Sequence, residues 1–202
     1  MSEMQSSNQE IKKKERYTLK KFFFSFIWLA VLLFVVDVLT KVIAYTNLTE
    51  GMSVKVPGFE WLFQFTLVFN TGAAWGFGGD NLVTQIILCL ISYAAAIAII
   101  VYYIKKGKTF SKLFTAILMI CLAGDVGNLV DRTFALFPSL STIYSKGVID
   151  FIDITPLIPR FGIFNFADSC LVVGIISLLI YEIVISVKED LFTKNKKKDG
   201  EN

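Results

Sequence analysis

The chain has 202 residues, 54% of them hydrophobic, with 20 Lys and Arg against 17 Asp and Glu for a formal charge of +3. A soluble domain of this length does not need so many apolar residues in long runs. Histidine is absent altogether, which removes Ser–His and Cys–His nucleophile pairs, HExxH zinc sites and imidazole proton transfer, and leaves carboxylates, lysine and tyrosine for any acid–base work.

Taken in order, residues 1–21 form a polar, lysine-rich extension, predicted to be cytoplasmic. The first apolar run, 22–44, approaches the ~20 residues that cross a bilayer as a helix. It is too long for the core of a cleaved signal peptide, carries Asp37 and Lys41, and shows no small-x-small cleavage site, so it reads as an uncleaved anchor. In 45–81, Met52, Val54 and Val56 alternate with Ser53 and Lys55. After Pro57-Gly58, Phe63, Phe65, Leu67 and Phe69 alternate with polar or smaller residues. Period-two alternation around a turn predicts a β-hairpin at about 50–70, too small to stand alone and expected to lie apolar side down on the membrane.

A second run, 82–104, is uncharged and reads as scaffold. A third, 113–130, leads through Asp131 and Arg132 into an outer connection with Asp150 and Asp153. A fourth, 161–187, carries Asp168 near its start, and a basic tail fills 188–202. Cys89, Cys121 and Cys170 all lie in apolar runs and read as small buried hydrophobes. No metal site or cofactor is expected. The pattern predicts an all-α membrane protein of four transmembrane helices, spanning 22–187, with a small extracytoplasmic β-hairpin or cradle.

Most cations fall before the first run, between the second and third, and in the tail, so both termini and the middle loop are predicted to be cytoplasmic. Those basic runs also suit anionic lipid contacts; lacking interleaved aromatics, they do not suggest nucleic acid. At 1.5 Å per residue, Asp37 lies roughly 24 Å beyond Lys21, Asp131 roughly 28 Å beyond Lys112, and Asp168 roughly 30 Å beyond Lys188. Three helices thus bring an aspartate to one level near the outer membrane boundary, which Asp150 also reaches. Asp37 with Lys41, Asn128 with Asp131 and Asn165 with Asp168 each share a helix face. Charged groups inside spanning helices are costly and mark function. Two close carboxylates that share a proton can activate water with one member and protonate a leaving group with the other. Spacing alone leaves open which aspartate partners Asp168.

Five boxes along the chain resemble the lipoprotein signal peptidase (signal peptidase II) family: Asp37-Val38-Leu39-Thr40-Lys41, Asn70-Thr71-Gly72-Ala73-Ala74-Trp75, Gly127-Asn128-Leu129-Val130-Asp131-Arg132, Gly147-Val148-Ile149-Asp150-Phe151 and Phe164-Asn165-Phe166-Ala167-Asp168-Ser169. The resemblance implies an aspartic endopeptidase in the bacterial inner membrane. It would cut diacylglyceryl-modified prolipoproteins on the amino side of the lipidated cysteine, with Asp150 and Asp168 as its dyad. Asp37, Lys41, Asn70, Asn128, Asp131, Arg132 and Asn165 would support the site, Asp131 as an ion pair with Arg132. Expected partners are those substrates and membrane lipids, not nucleic acid. Oligomeric state is left open. The chain departs from the family in a longer connection at 133–146 and in Asp125, where a small residue is usual. Competing readings are a small transporter or proton relay using intramembrane aspartates, a Ser/Lys peptidase using Lys41 or Lys146, and a non-catalytic lipid-binding or assembly protein.

Overall fold

The computed structural model describes residues 25–72 and 81–199. The extension 1–21 and the Ala73 to Trp75 part of the second box lie outside the described residues. Helix α1 spans Ile27–Asn47, and its buried residues Ala30, Asp37, Lys41 and Ala44 form one stripe at helical spacing. Strands β1 (Ser53–Lys55) and β2 (Gln64–Asn70) follow as the expected hairpin, with Ser53 opposite Thr66. Helix α2 (Leu82–Lys106) is capped by the Asn81 side chain, which accepts from the Val83 amide at 2.8 Å. It buries only Cys89 and Ala96, as scaffold facing lipid should. Helix α3 (Lys112–Leu136) starts at Ser111, which accepts from the Phe114 amide at 3.0 Å. It is the central helix and packs against all three others.

Close approach at α3 requires small residues. A Cβ on Gly124 would lie 2.5 Å from the Ala167 carbonyl, so only glycine lets the fourth helix, α4 (Phe166–Asp199), seat against α3. The outer faces of α1, α2 and α4 expose Leu39, Ile43, Leu90, Ile97, Leu179 and Ile183. Among the described residues, four helices are long and apolar enough to cross a membrane, and a continuous apolar exterior is what a bilayer covers.

Two features differ from the sequence expectation. A third strand, β3 (Val148–Asp153), joins the hairpin, giving an antiparallel sheet of order β1-β2-β3. Its partner strand lies some eighty residues upstream, so no local turn announces it. And α4 begins at Phe166, not at 161, because Asn165 caps it: the Asn165 side-chain oxygen accepts from the Asp168 amide at 2.9 Å. The helix then continues beyond the hydrophobic span as far as Asp199.

The sheet packs one face on the end of α1, through a core of Ala44, Leu67, Tyr144, Ile149 and Phe151. The long connection at 133–146 serves this core. Its first residues extend α3, and Tyr144 then folds back to stack on Phe134 with ring centroids 5.9 Å apart. The extra length is absorbed beside the sheet and leaves β3 in register.

Candidate active site

Lys41 is the hub of the charged cluster. It is fully buried, and its Nζ lies 2.8 Å from Asp37 Oδ2 and 2.9 Å from Asp131 Oδ2. It also donates to Asn128 Oδ1 at 3.2 Å and to the Gly127 carbonyl at 3.3 Å. A buried charge persists only when paired and hydrogen-bonded. The two carboxylates in turn grip other elements. Asp37 Oδ1 accepts from the Ala167 amide at 2.8 Å, at the positive N-terminal end of α4. Asp131 Oδ2 accepts from the Ile149 amide of β3 at 3.3 Å. One ammonium therefore ties α1 to α3, while its partners hold α4 and β3. Gly127 makes room for this, since a Cβ there would lie 2.6 Å from Asp37 Oδ2.

The expected pair between Asp131 and Arg132 does not form; Asp131 pairs with Lys41. Successive residues on a helix point about 100° apart, so Arg132 turns from the hub and lines the cavity that holds Asp150 and Asp168. The expected sharing of a face by Asp37 and Lys41 is realised as an ion pair.

Above the hub sit the two remaining acids, joined by asparagines. Asp150 on β3 accepts from Asn165 Nδ2 at 2.7 Å and from Asn70 Nδ2 at 3.0 Å. Asp168, in the first turn of α4, accepts from Asn128 Nδ2 at 2.7 Å and from the Asn165 amide at 3.1 Å. Asn165 and Asp168 thus form a reciprocal capping box, each satisfying the other's backbone amide. Asn128 receives hydrogen bonds from Lys41 and from Asn165 on its oxygen, at 3.2 and 3.0 Å, which fixes its amide to donate toward Asp168. Gly147, at φ +137, admits no side chain: a Cβ would lie 2.9 Å from the Asn70 carbonyl, and this lets β3 start tightly against β2.

The pair differs in exposure. Asp150 is 2% exposed, whereas Asp168 is only partly buried and faces the cavity. Burial, and then the neighbouring charge of Asp168, push the Asp150 carboxyl up to about 8. The cavity, about 510 Å³, is walled by apolar residues from the 154–164 loop and by Leu171, Val172 and Val173 of α4. A second recess of about 340 Å³ also reaches Asp150 and is bordered by Phe69, Asn70, Thr71 and Gly162. Sequence reading singled out none of the cavity wall beyond the boxes, because 154–164 has neither helical nor strand periodicity.

Asp125 is buried against α2, where it bonds the Ser92 side chain, and its second oxygen has no hydrogen-bond partner. It faces the bundle, toward α2. Among the described residues, no group of three His, Cys, Asp or Glu side chains is placed to hold a metal.

Four helices with two acids clasped at one end of the bundle, beside an apolar cavity, define a membrane protein with a built acidic site. The family model for signal peptidase II matches residues 29–184. The lipoprotein signal peptidase of Lactobacillus johnsonii is 36% identical over 162 residues, covering 79% of this chain and 92% of that protein. That of Bacillus subtilis is 33% identical over 161 residues, covering 80% and 94%. A bacterial membrane enzyme solved by the in meso method superposes with a TM-score of 0.65 at 28% identity, over 79% of this chain and 88% of that one. The chain belongs to the signal peptidase II family and is a multi-pass bacterial membrane protease that removes signal peptides.

Proposed function

We propose that this protein cleaves the signal peptide from diacylglyceryl-modified prolipoproteins, on the amino side of the lipidated cysteine, with Asp150 and Asp168 as its catalytic residues. The observation that carries the reading is the double grip of Asn165, which donates its side-chain N–H to Asp150 at 2.7 Å and its backbone N–H to Asp168 at 3.1 Å. In the hydrolytic step, Asp168 takes a proton from a water that attacks the scissile carbonyl carbon. Asp150, which holds its proton well above the usual carboxylate range, donates to the carbonyl oxygen. Collapse of the tetrahedral intermediate breaks the C–N bond: the proton gained by Asp168 leaves on the amine, and a hydroxyl of the intermediate returns its proton to Asp150 as the new carboxyl forms. The apolar cavity suits the greasy part of such a substrate, and Arg132 at its wall offers a guanidinium.

The domain is 22–187, with cytoplasmic flanks at 1–21 and 188–202. Lys105, Lys106, Lys108 and Lys112 sit at the bundle end opposite the acids, which supports cytoplasmic termini and a site at the extracytoplasmic face. Exposed Met52, Val54, Phe59 and Trp61 on the hairpin suit contact with the lipid surface. Incubation of the purified protein in detergent with a diacylglyceryl prolipoprotein and a chelator tests the activity. Cleavage is expected to persist with the chelator and to vanish in Asp150→Asn and in Asp168→Asn. Substantial turnover by either variant refutes the dyad.

A further inference from the structure

Behind Asp150, on the opposite face of β3, lies a buried carboxylate that the hydrolytic step does not use. Asp153 is 3% exposed. Strand alternation places it with the core residues Ile149 and Phe151, away from the cavity. Its two oxygens serve different segments. Oδ2 accepts from Gln64 Nε2 and from Thr66 Oγ1, both at 2.7 Å, on β2. Oδ1 accepts from the Thr155 amide at 2.9 Å and from Thr155 Oγ1 at 2.6 Å, on the chain leaving β3. Thr66 lies in a bulge, where the register slips between Phe65 and Val68. Burial alone would raise the Asp153 carboxyl, but the donors from Thr155, Gln64 and Thr66 outweigh it and hold it below the usual range.

What these bonds fix is the segment between the two acids. From Thr155 the chain runs through the loop that walls the cavity with Ile154, Gly162, Ile163 and Phe164. It returns to β3 at Phe164, which donates to the Ile152 carbonyl at 3.1 Å and accepts from the Ile152 amide at 2.8 Å. The next residue is Asn165, which touches both acids.

We infer that Asp153 is a positioning residue for hydrolysis: by clamping the start of the 154–164 loop to β2, it sets where Asn165 meets Asp150 and so fixes Asp150 relative to Asp168. The inference rests on the reading of Asp150 and Asp168 as the working pair. A displacement of about 1 Å in such a pair can cost roughly 100-fold in rate. The charged groups facing Asp150 are Asp168 on α4, Lys41 on α1 and, across the cavity, Arg132 on α3. None of these is altered by changes at Asp153 or Thr155.

The test compares Asp153→Asn, Thr155→Val and Thr155→Ser, purified in detergent, for kcat, KM and the pH profile on a diacylglyceryl prolipoprotein. Asp153→Asn puts an NH₂ where an acceptor is needed. It is expected to lower kcat by roughly 100-fold with KM little changed. Its alkaline limb should move to lower pH, because a loosened loop admits water to Asp150 and lets Asp168 drift away. Thr155→Val, which removes the hydroxyl donor to Asp153 and keeps the amide one, should shift both in the same direction but less, and Thr155→Ser should keep them near native. If Asp153→Asn folds and keeps a native kcat, or loses rate with its alkaline limb unmoved, the residue is only structural and the inference fails. If Asp153→Asn does not fold, Thr155→Val decides alone, and native kcat and pH profile there overturn the proposal. Failure of the underlying reading is separate, since it shows as turnover by Asp150→Asn.

Discussion

Lys41 Nζ lies 2.9 Å from Asp131 Oδ2, so the ammonium of α1, and not the guanidinium next door in sequence, balances the buried acid of α3. Both side chains are almost fully buried. Removing one partner of such a pair strands the other, at a cost of about 3–5 kcal/mol. Lys41→Met and Asp131→Ala are each expected to lower the melting temperature in detergent sharply, and Arg132→Ala is not. Should Asp131→Ala keep its stability and lose all turnover, Asp131 joins the working acids.

The pH dependence of stability carries a second expectation. Burial and the charge of Asp168 raise Asp150 from an ordinary 3.8 to about 8. The folded state therefore holds this proton more tightly than the unfolded chain. That contribution is fully present below the unfolded value and is lost as pH climbs through about 8. Thermal stability of the wild type should fall as pH rises from 3.8 to about 8, and Asp150→Asn should flatten this part of the curve. Turnover should fall only at the upper end of that window, as pH rises through about 8. An identical pH slope in the variant would place the titration elsewhere.

Gly127→Ala provides a steric test. The new Cβ would lie 2.6 Å from Asp37 Oδ2 and 2.9 Å from the Ala167 Cβ, between three packed elements. Overpacking of this kind costs about 1–3 kcal/mol. The variant should unfold earlier and, by pushing Asp37 off the Ala167 amide, lose rate as well. Native stability and rate would show that α1 yields freely.

Asp125 gives a contrasting expectation. Its contact is Ser92 on α2, and none of the hydrogen bonds to Asp150 or Asp168 involves it. Asp125→Asn keeps a polar partner for Ser92 and should leave turnover essentially native. Loss of turnover as deep as in Asp168→Asn would extend the site down the bundle and favour a proton relay.

What the sequence reveals follows from the length scale of each constraint. A bilayer demands ~20 apolar residues in a row, so four spans and a bundle are visible without coordinates. The Asp37–Lys41 pair is local, at i,i+4, and is equally visible. Asp131 misleads because adjacency in sequence suggests Arg132, whereas the helix sends the two side chains to different neighbours. Strand β3 stays hidden for a similar reason: six residues with two acids read as loop until β2 supplies their ladder. Spacing and depth identified Asp168 but not its partner Asp150, which reaches the pair from a strand and not from a helix. Only the resemblance of Gly147-Val148-Ile149-Asp150-Phe151 to a known box singled it out.

The capping box at Asn165 and Asp168 makes the start of a helix and the floor of the site one piece of structure. Until α4 is wound and seated on α3, Asn165 has no fixed direction and Asp168 no fixed neighbour. A nascent or misinserted chain therefore carries both acids but cannot use them together. With Asp150 and Asp168 as the proposed pair, competence to cut arrives only with completed assembly, so the fold itself withholds the activity until the bundle is closed.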